Sequence, residues 1–220
     1  LLGLREPKAD EVASTDEDDE KESVLKRMKA ADELYIVQGP PGTGKTSGLI
    51  GKYIEDIYHQ TNRVMMVLSF TNRAVDEICG CLQERDIPFI RTGNSRGITD
   101  ELLYNLIRGK RYLEIESIIA DNRIYVASVQ SANAWYKDLQ RIITVDEILV
   151  DEASQILENQ ILGVLSSCDK CIFIGDQNQL PAISVQDNIR YSFKEPELQA
   201  LHYDDTNQSL MGRLFRVYEE

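Results

Sequence analysis

One glycine-rich stretch of the chain has the residue types and the spacing of a phosphate-binding loop. It fits the pattern G-x-x-x-x-G-K-[ST], and its residues are Gly39, Pro40, Pro41, Gly42, Thr43, Gly44, Lys45 and Thr46. Glycines let backbone N–H groups wrap a row of phosphates, and a helix that follows adds the positive end of its dipole. We expect Lys45 to reach the β- and γ-phosphates and the Thr46 hydroxyl to ligate Mg²⁺. The pattern predicts that the whole stretch binds a nucleoside triphosphate, the alternative being a glycine-rich turn without a ligand.

Two neighbouring carboxylates could supply the chemistry of hydrolysis. Asp151 and Glu152 come directly after an apolar run at 148–150. In a phosphate-loop ATPase, an aspartate at the end of such a strand holds Mg²⁺, and a glutamate beside it orients and deprotonates the attacking water. We therefore expect Asp151 to hold the metal and Glu152 to act as the base. An ordinary surface pair is the alternative.

Polar stretches after three other apolar runs could bind phosphate groups. Gln179 lies in the loop after the run at 171–174, where a neutral amide could hydrogen-bond a γ-phosphate without adding charge. An ordinary polar turn is the alternative for this loop. Hydroxyl and amide side chains also follow two earlier runs, in residues 69–76 and 128–131. Because the free N–H groups of helix starts bind phosphates, these two stretches are predicted seats for a nucleic-acid backbone.

The elements that would position these loops form a repeating pattern. Apolar runs typical of strands alternate with stretches of helical periodicity, and the runs lie at 34–37, 64–68, 124–127, 148–150 and 171–174. Each run is apolar on both faces, as expected for parallel strands that helices cover on both sides. The carboxyl ends of such strands meet at one edge of the sheet, where ligands bind. The pattern predicts an α/β fold with a doubly wound, mostly parallel sheet.

Residues 94–122 interrupt this alternation. Apolar residues recur there at near-helical spacing on either side of a glycine, which predicts a small insertion of two helices. Arg108, Lys110 and Arg111 would cluster at the turn between them. A solvated corner and a nucleic-acid contact are both open for this cluster. Trp135 could similarly stack on a base or pack into the core.

Composition limits the class of protein. The chain has 220 residues, of which 42% are hydrophobic, enough for one substantial domain. It lacks an apolar run of the roughly 18 residues that a membrane span needs, so we expect no membrane partner. The spacings of Cys79 with Cys81 and of Cys168 with Cys171 fit structural thiols in a reducing compartment, such as the cytoplasm or a nucleus, or else a zinc site. The missing initiator methionine predicts a piece of a longer protein.

The net charge of −13 neither supports nor excludes a nucleic-acid partner. Much of it is local, because residues 8–23 hold eight acidic and two basic side chains. Such a run is typical of a solvated, flexible segment, which we place at residues 1–29. A basic groove can still exist on an acidic protein.

Four motifs follow one another along the chain: GPPGTGKT, SFTNRAVDEI, VDEASQ and GDQNQLPA. In this order they resemble the first RecA-like motor domain of superfamily 1 helicases, in the branch that contains the nonsense-mediated-decay RNA helicase, senataxin and the replication helicase–nucleases. The resemblance covers residues 30–216, and we take residues 30–220 as the motor domain. Residues 208–215 are similar to the helix that leads toward a second motor domain in this family.

The resemblance implies a role for each motif. The phosphate-loop residues, Lys45 among them, would bind ATP with Mg²⁺, and the carboxylate pair would serve metal binding and hydrolysis. Gln179 would couple the γ-phosphate to the surface that grips the strand. Thr71, Asn72 and Ser128 would touch the nucleic-acid backbone. The resemblance also implies movement in the 5′-to-3′ direction along single-stranded DNA or RNA.

We therefore expect the chain to be the ATP-binding half of an ATP-dependent helicase or translocase. The arginines that stabilise the transferring phosphoryl group in this family come from a second motor domain, so we expect the isolated chain to hydrolyse ATP poorly. A nucleotide-dependent clamp that does not unwind, and a plain phosphate-loop kinase or transporter ATPase, are the alternatives. The intact Glu152 argues against the clamp, and the motifs around Thr71 and Gln179 argue against the kinase. The choice between DNA and RNA is open.

Overall fold

Six parallel strands form one sheet at the centre of the molecule. The computed structural model describes residues 17–39, 45–95, 97–166, 168–176, 193–203 and 208–219. In this part of the chain the strands are β1 (Leu34–Gln38), β2 (Met65–Ser69), β3 (Ile90–Arg91), β4 (Ile124–Ser128), β5 (Glu147–Val150) and β6 (Lys170–Gly175). Their order across the sheet is β1-β6-β5-β2-β4-β3, and every neighbouring pair is parallel.

Helices cover both faces of this sheet. They are α1 (Glu17–Ala30), α2 (Gly51–Gln60), α3 (Asn72–Gln83), α4 (Leu103–Ile107), α5 (Tyr112–Ala120), α6 (Val129–Leu139), α7 (Glu158–Leu165), α8 (Pro196–Gln199) and α9 (Leu210–Glu219). A π-helix (Lys45–Ile50) runs directly into α2, and a short 3₁₀ turn (Ala153–Gln155) follows β5. Helices α1, α2 and α3 pack on one face, whereas α5, α6, α7 and α9 pack on the other. This arrangement confirms the predicted doubly wound α/β fold.

The strands are buried because they contribute to two cores at once. Every residue of β2, β4, β5 and β6 is buried. In β2, Met65 and Val67 belong to the core under α1, α2 and α3, whereas Met66 and Leu68 belong to the core on the opposite face. Side chains of a strand alternate between the faces of a sheet, so a sheet covered on both faces needs apolar residues at every position.

Helix α1 differs from the sequence prediction. Residues 17–29 were expected to be part of a flexible acidic segment, but they form most of a helix whose Leu25 and Met28 side chains join the core. The Lys170 ammonium donates to the Met28 carbonyl at 2.6 Å. Apolar burial and a cation at the carboxyl end both stabilise a helix. The prediction is therefore wrong for residues 17–29, and residues 1–16 lie outside the described part of the chain.

The insertion between β3 and β4 contains the two predicted helices, α4 and α5. It returns to the sheet beside β3, where the Arg91 N–H donates to the Glu101 carbonyl at 2.8 Å. Strand β3 itself was not predicted. It has only two residues, and the second of them is charged, so it carries no apolar run.

Candidate functional site

The carboxyl ends of β1, β6 and β5 lie side by side at one edge of the sheet. Strand β6 lies between β1 and β5. The Gly39 N–H donates to the Gly175 carbonyl at 3.0 Å, and the Gln38 amide donates to Asp176 Oδ1 at 2.9 Å. The start of the predicted phosphate loop is therefore bonded to the start of the loop that contains Gln179.

Most of the predicted phosphate loop lies outside the described residues. This applies to Pro40, Pro41, Gly42, Thr43 and Gly44, and to Gln179 in the loop after β6. Lys45 and Thr46 begin the π-helix that runs into α2, but their side chains are not among those described. A helical start directly after the glycine-rich loop is the context that the pattern requires. The roles of these residues stay predictions.

The predicted carboxylate pair lies at the end of β5. Asp151 is only 5% exposed, and its N–H donates to the Leu68 carbonyl of β2 at 2.8 Å. Its Oδ1 accepts a hydrogen bond from the Glu152 N–H at 2.9 Å. Glu152 has a left-handed backbone with φ 53° and ψ 34°, which costs a non-glycine residue about 1–3 kcal/mol. Such strain clusters at functional sites, so it supports the hypothesis that Glu152 is a base held in one place.

A hydroxyl from β2 contacts this pair, and sequence reasoning missed it. Ser69 is fully buried at the end of β2, and its Oγ donates to Glu152 Oε2 at 3.3 Å. The available signal was a polar residue that ends an otherwise apolar strand. Since Ser69 opens the polar stretch at 69–76, this bond joins the predicted hydrolytic carboxylate to a predicted nucleic-acid seat.

The two predicted nucleic-acid seats lie at neighbouring helix starts, because β2 and β4 pair along their full length. Thr71 Oγ1 accepts from the Ala74 N–H at 3.1 Å at the start of α3. Ser128 Oγ accepts from the Ser131 N–H at 3.3 Å at the start of α6. Both hydroxyls therefore cap helices. Asn72, the first residue of α3, is exposed, so the structure brings all three predicted contact residues to one stretch of the edge.

The other aromatic and basic candidates have different surroundings. Trp135 is partly buried and packs against the core, which agrees with the interpretation as a core residue. Arg108, Lys110 and Arg111 are exposed at the turn between α4 and α5. The exposed ring of Tyr112 follows them. This surface fits a solvated corner and a nucleic-acid contact equally well.

The four cysteines are free thiols. The sulfur atoms of Cys168 and Cys171 are 3.2 Å apart, and the hydrogen bond between them lowers the pKa of Cys168. Burial raises the pKa of the Cys79 thiol to about 12. Among the described residues, no three His, Cys, Asp or Glu side chains gather as a group that could hold a metal. The described helices also include none with the length and apolar character of a membrane span.

A cavity of about 330 Å³ lies at the opposite, amino edge of the sheet, and its lining residues are Asp32, Asn62, Arg63, Asp146, Asp169 and Lys170. Its carboxylates would repel a phosphate, although two cations are also present. The cavity is therefore a poor candidate for a nucleotide site, and the carboxyl edge stays the better one.

The parallel sheet with its polar carboxyl edge defines a RecA-like α/β domain. Residues 21–185 match the AAA domain family, and the chain belongs to this family. Within it, the chain is a RecA-like motor domain of the superfamily 1 helicases, in the branch of the replication helicase–nucleases.

Individual relatives agree with this assignment. The chain is 31% identical over 182 residues to the DNA replication ATP-dependent helicase/nuclease DNA2 of Saccharomyces cerevisiae, a match that covers 81% of this chain and 12% of that protein. It is 26% identical over 210 residues to the DNA polymerase alpha-associated DNA helicase A of Schizosaccharomyces pombe. This match covers 73% of this chain and 31% of that protein. The chain therefore spans less than a third of either relative.

Among the solved structures with a similar fold is one of a DNA complex. It is a nuclease-deletion mutant of the Type ISP restriction-modification enzyme LlaGI in complex with a DNA substrate mimic. The TM-score is 0.50 at 17% sequence identity, and the match covers 81% of this chain and 19% of that one. At this level of identity the likeness concerns the fold alone.

Proposed function

We propose that the protein is an ATP-driven helicase or translocase on single-stranded nucleic acid, and that this chain is its ATP-binding motor domain. The observation that carries the proposal is the hydrogen bond from Ser69 to Glu152. It lies where the loops predicted to bind nucleotide meet the stretches predicted to bind a strand. Motors of this kind need such contact, because hydrolysis and strand binding have to influence each other.

The residues of the edge fit a nucleotide bound with Mg²⁺. Oxygen ligands such as carboxylates suit magnesium. Asp151 is nearly buried at the carboxyl end of β5, and only β6 lies between β5 and β1, the strand that precedes the phosphate loop. Asp151 and Thr46 are the residues that would hold the ion. When bound, Mg²⁺ neutralises charge on the phosphates.

Each protein side chain then has a definite task. Lys45 would bind the outer phosphates, and the backbone of the glycine-rich loop would surround the rest. Glu152 would accept the proton of the attacking water, with Ser69 restricting its orientation. Gln179 would hydrogen-bond the γ-phosphate and so couple the presence of this group to the surface that binds the nucleic-acid strand.

The nucleic-acid strand would lie across the starts of α3 and α6. Thr71, Asn72 and Ser128 would contact its phosphates there, where helix dipoles favour negative charge. One relative named above is called a DNA helicase and the other a DNA replication ATP-dependent helicase/nuclease, which favours DNA over RNA as the substrate. We infer 5′-to-3′ movement from the family resemblance, and we place the second motor domain elsewhere in the full-length protein.

The nucleotide site is tested by titrating the full-length protein with Mg-ATP and comparing Lys45→Ala with wild type. We expect the variant to lose about a hundredfold or more in affinity, because a charge-assisted contact to phosphate is removed. Lys137→Ala, which removes an exposed lysine on α6, is the matched control and should bind as wild type does. Unchanged ATP affinity in a folded Lys45→Ala protein would remove the nucleotide site from the proposal.

A further inference from the structure

We propose that Arg91 is a positioning residue that fixes the Asn72 amide with its NH₂ group turned toward a bound nucleic-acid strand. The inference rests on the proposed function, in which Asn72 contacts the nucleic-acid backbone. Arg91 itself lies between two of the sequence motifs and belongs to neither.

Arg91 is a fully buried cation at the end of β3. Its Nε donates to Asp76 Oδ1 at 3.3 Å, and its Nη2 donates to Asn72 Oδ1 at 3.0 Å and to the Asn94 carbonyl at 3.1 Å. Its Nη1 donates to the Thr92 carbonyl. Asn72 and Asp76 lie one turn apart on the same face of α3, so one guanidinium ties that face to the loop after β3.

The chemistry of the guanidinium decides which end of the Asn72 amide faces inward. A guanidinium only donates hydrogen bonds, whereas an amide has an acceptor oxygen on one side and two N–H donors on the other. Arg91 is therefore compatible only with the amide orientation in which Oδ1 of Asn72 points toward the guanidinium. The NH₂ group is left to face away from the buried side, at an exposed helix start where backbone N–H groups already favour an anion.

The loop that Arg91 anchors also touches the second predicted seat. A Cβ on Gly93, which has φ +85°, would lie 2.1 Å from Ser131 Oγ. The hydroxyls of Ser131 and Ser128 are 3.0 Å apart. The segment after β3 is therefore packed between the starts of α3 and α6. Arg91 lies where it can fix the position of the predicted contact site at the start of α3 relative to the one at the start of α6.

The test is a double-mutant cycle on the affinity of the full-length protein for a labelled oligo-dT strand. Asn72→Ala and Arg91→Lys should each weaken binding by about tenfold, the value of one lost hydrogen bond to a charged group. The double variant should bind no more weakly than Asn72→Ala alone, because Arg91 acts through Asn72. If the loss of affinity in the double variant equals the product of the two single losses, the inference is overturned.

Two further variants separate positioning from folding. Asp76→Asn removes the ion pair with Arg91 but keeps the bond to Asn72, so it should leave oligo-dT affinity unchanged even if the melting temperature falls. Loss of affinity equal to that of Arg91→Lys would mean that Arg91 only anchors α3.

Asn72→Asp should raise the melting temperature, since Arg91 faces the oxygen of residue 72, while binding of oligo-dT is lost. A lower melting temperature would show that Arg91 does not face that oxygen.

These outcomes distinguish the inference from the function beneath it. If Asn72→Ala binds oligo-dT as wild type does, the predicted contact of Asn72 is wrong and the proposed function loses that residue. If Asn72→Ala weakens binding but Arg91→Lys does not, only the positioning role is overturned.

Discussion

Glu152 combines a strained backbone with two hydrogen bonds that restrict where its carboxylate can lie. Its backbone is left-handed, its N–H is bonded to the preceding aspartate, and its carboxylate accepts a hydrogen bond from the buried Ser69 hydroxyl. Together they hold the proposed base at the border between the nucleotide side and the strand side of the edge.

At this scale we predict that Ser69→Ala slows ATP turnover without weakening ATP binding. The hydroxyl donates to the carboxylate of the proposed base at the long distance of 3.3 Å, so its loss should lower kcat by about threefold to tenfold, the value of one weak hydrogen bond. The KM for ATP should not change. Steady-state kinetics of the full-length protein measure both constants.

A matched control for this variant is Ser117→Ala, which removes an exposed hydroxyl on α5. It should leave both constants unchanged. Equal kcat values for Ser69→Ala and wild type would show that the hydroxyl does not orient Glu152.

At the scale of elements, α9 is fixed to α7 by a buried ion pair. Nε and Nη2 of Arg213 donate to the two carboxylate oxygens of Glu158, each at 2.8 Å. The guanidinium also lies 4.0 Å from the centre of the Tyr203 ring. Met211 of the same helix packs close to Gly175, where a Cβ would lie 2.7 Å from the methionine sulfur. Helix α9 is therefore held against the carboxyl end of β6 and the 3₁₀ turn that follows β5.

We predict that Arg213→Met lowers the free energy of unfolding by about 3–5 kcal/mol, because it leaves the Glu158 charge buried without its partner. Urea denaturation measures the change. Arg141→Met, which breaks an exposed pair with Asp138, is the control and should cost less than about 1 kcal/mol. Equal losses in the two variants would contradict the assigned role of the buried pair.

Elements with a long apolar run could be predicted from the sequence, and elements held by single contacts could not. The five predicted strands all exist, because burial on both faces requires uninterrupted apolar runs. Strand β3 was not predicted because it contains the charged residue Arg91. The partners that compensate the burial of this charge come from α3 and from the loop after β3. Helix α1 was not predicted because its composition is mainly acidic and only a few of its side chains reach the core.

At the scale of the whole molecule, the carboxyl edge divides into two sides. Strands β1, β6 and β5 end in the loops predicted to bind nucleotide, and β2 and β4 end in the stretches predicted to bind a nucleic-acid strand. The border is the β5–β2 pair, where Glu152 and Ser69 meet. The sheet order thus places the two predicted binding functions next to each other at one edge of the sheet.

The position of a site residue was predictable where the residue directly follows an apolar strand, as with the carboxylate pair at the end of β5. It was not predictable where a residue acts through a partner. Ser69 and Arg91 are distant in sequence from Glu152 and Asn72, respectively, and only the pairing of strands brings them together.

The central claim is that ATP hydrolysis by this protein is coupled to a single strand of nucleic acid. The most direct test measures steady-state ATP hydrolysis by the full-length protein against increasing single-stranded DNA, and separately RNA, with Glu152→Gln as the variant. We predict that a saturating strand raises the rate by about tenfold or more, and that Glu152→Gln still binds Mg-ATP but does not turn it over. A rate that neither polymer changes, or an active Glu152→Gln protein, would contradict this account.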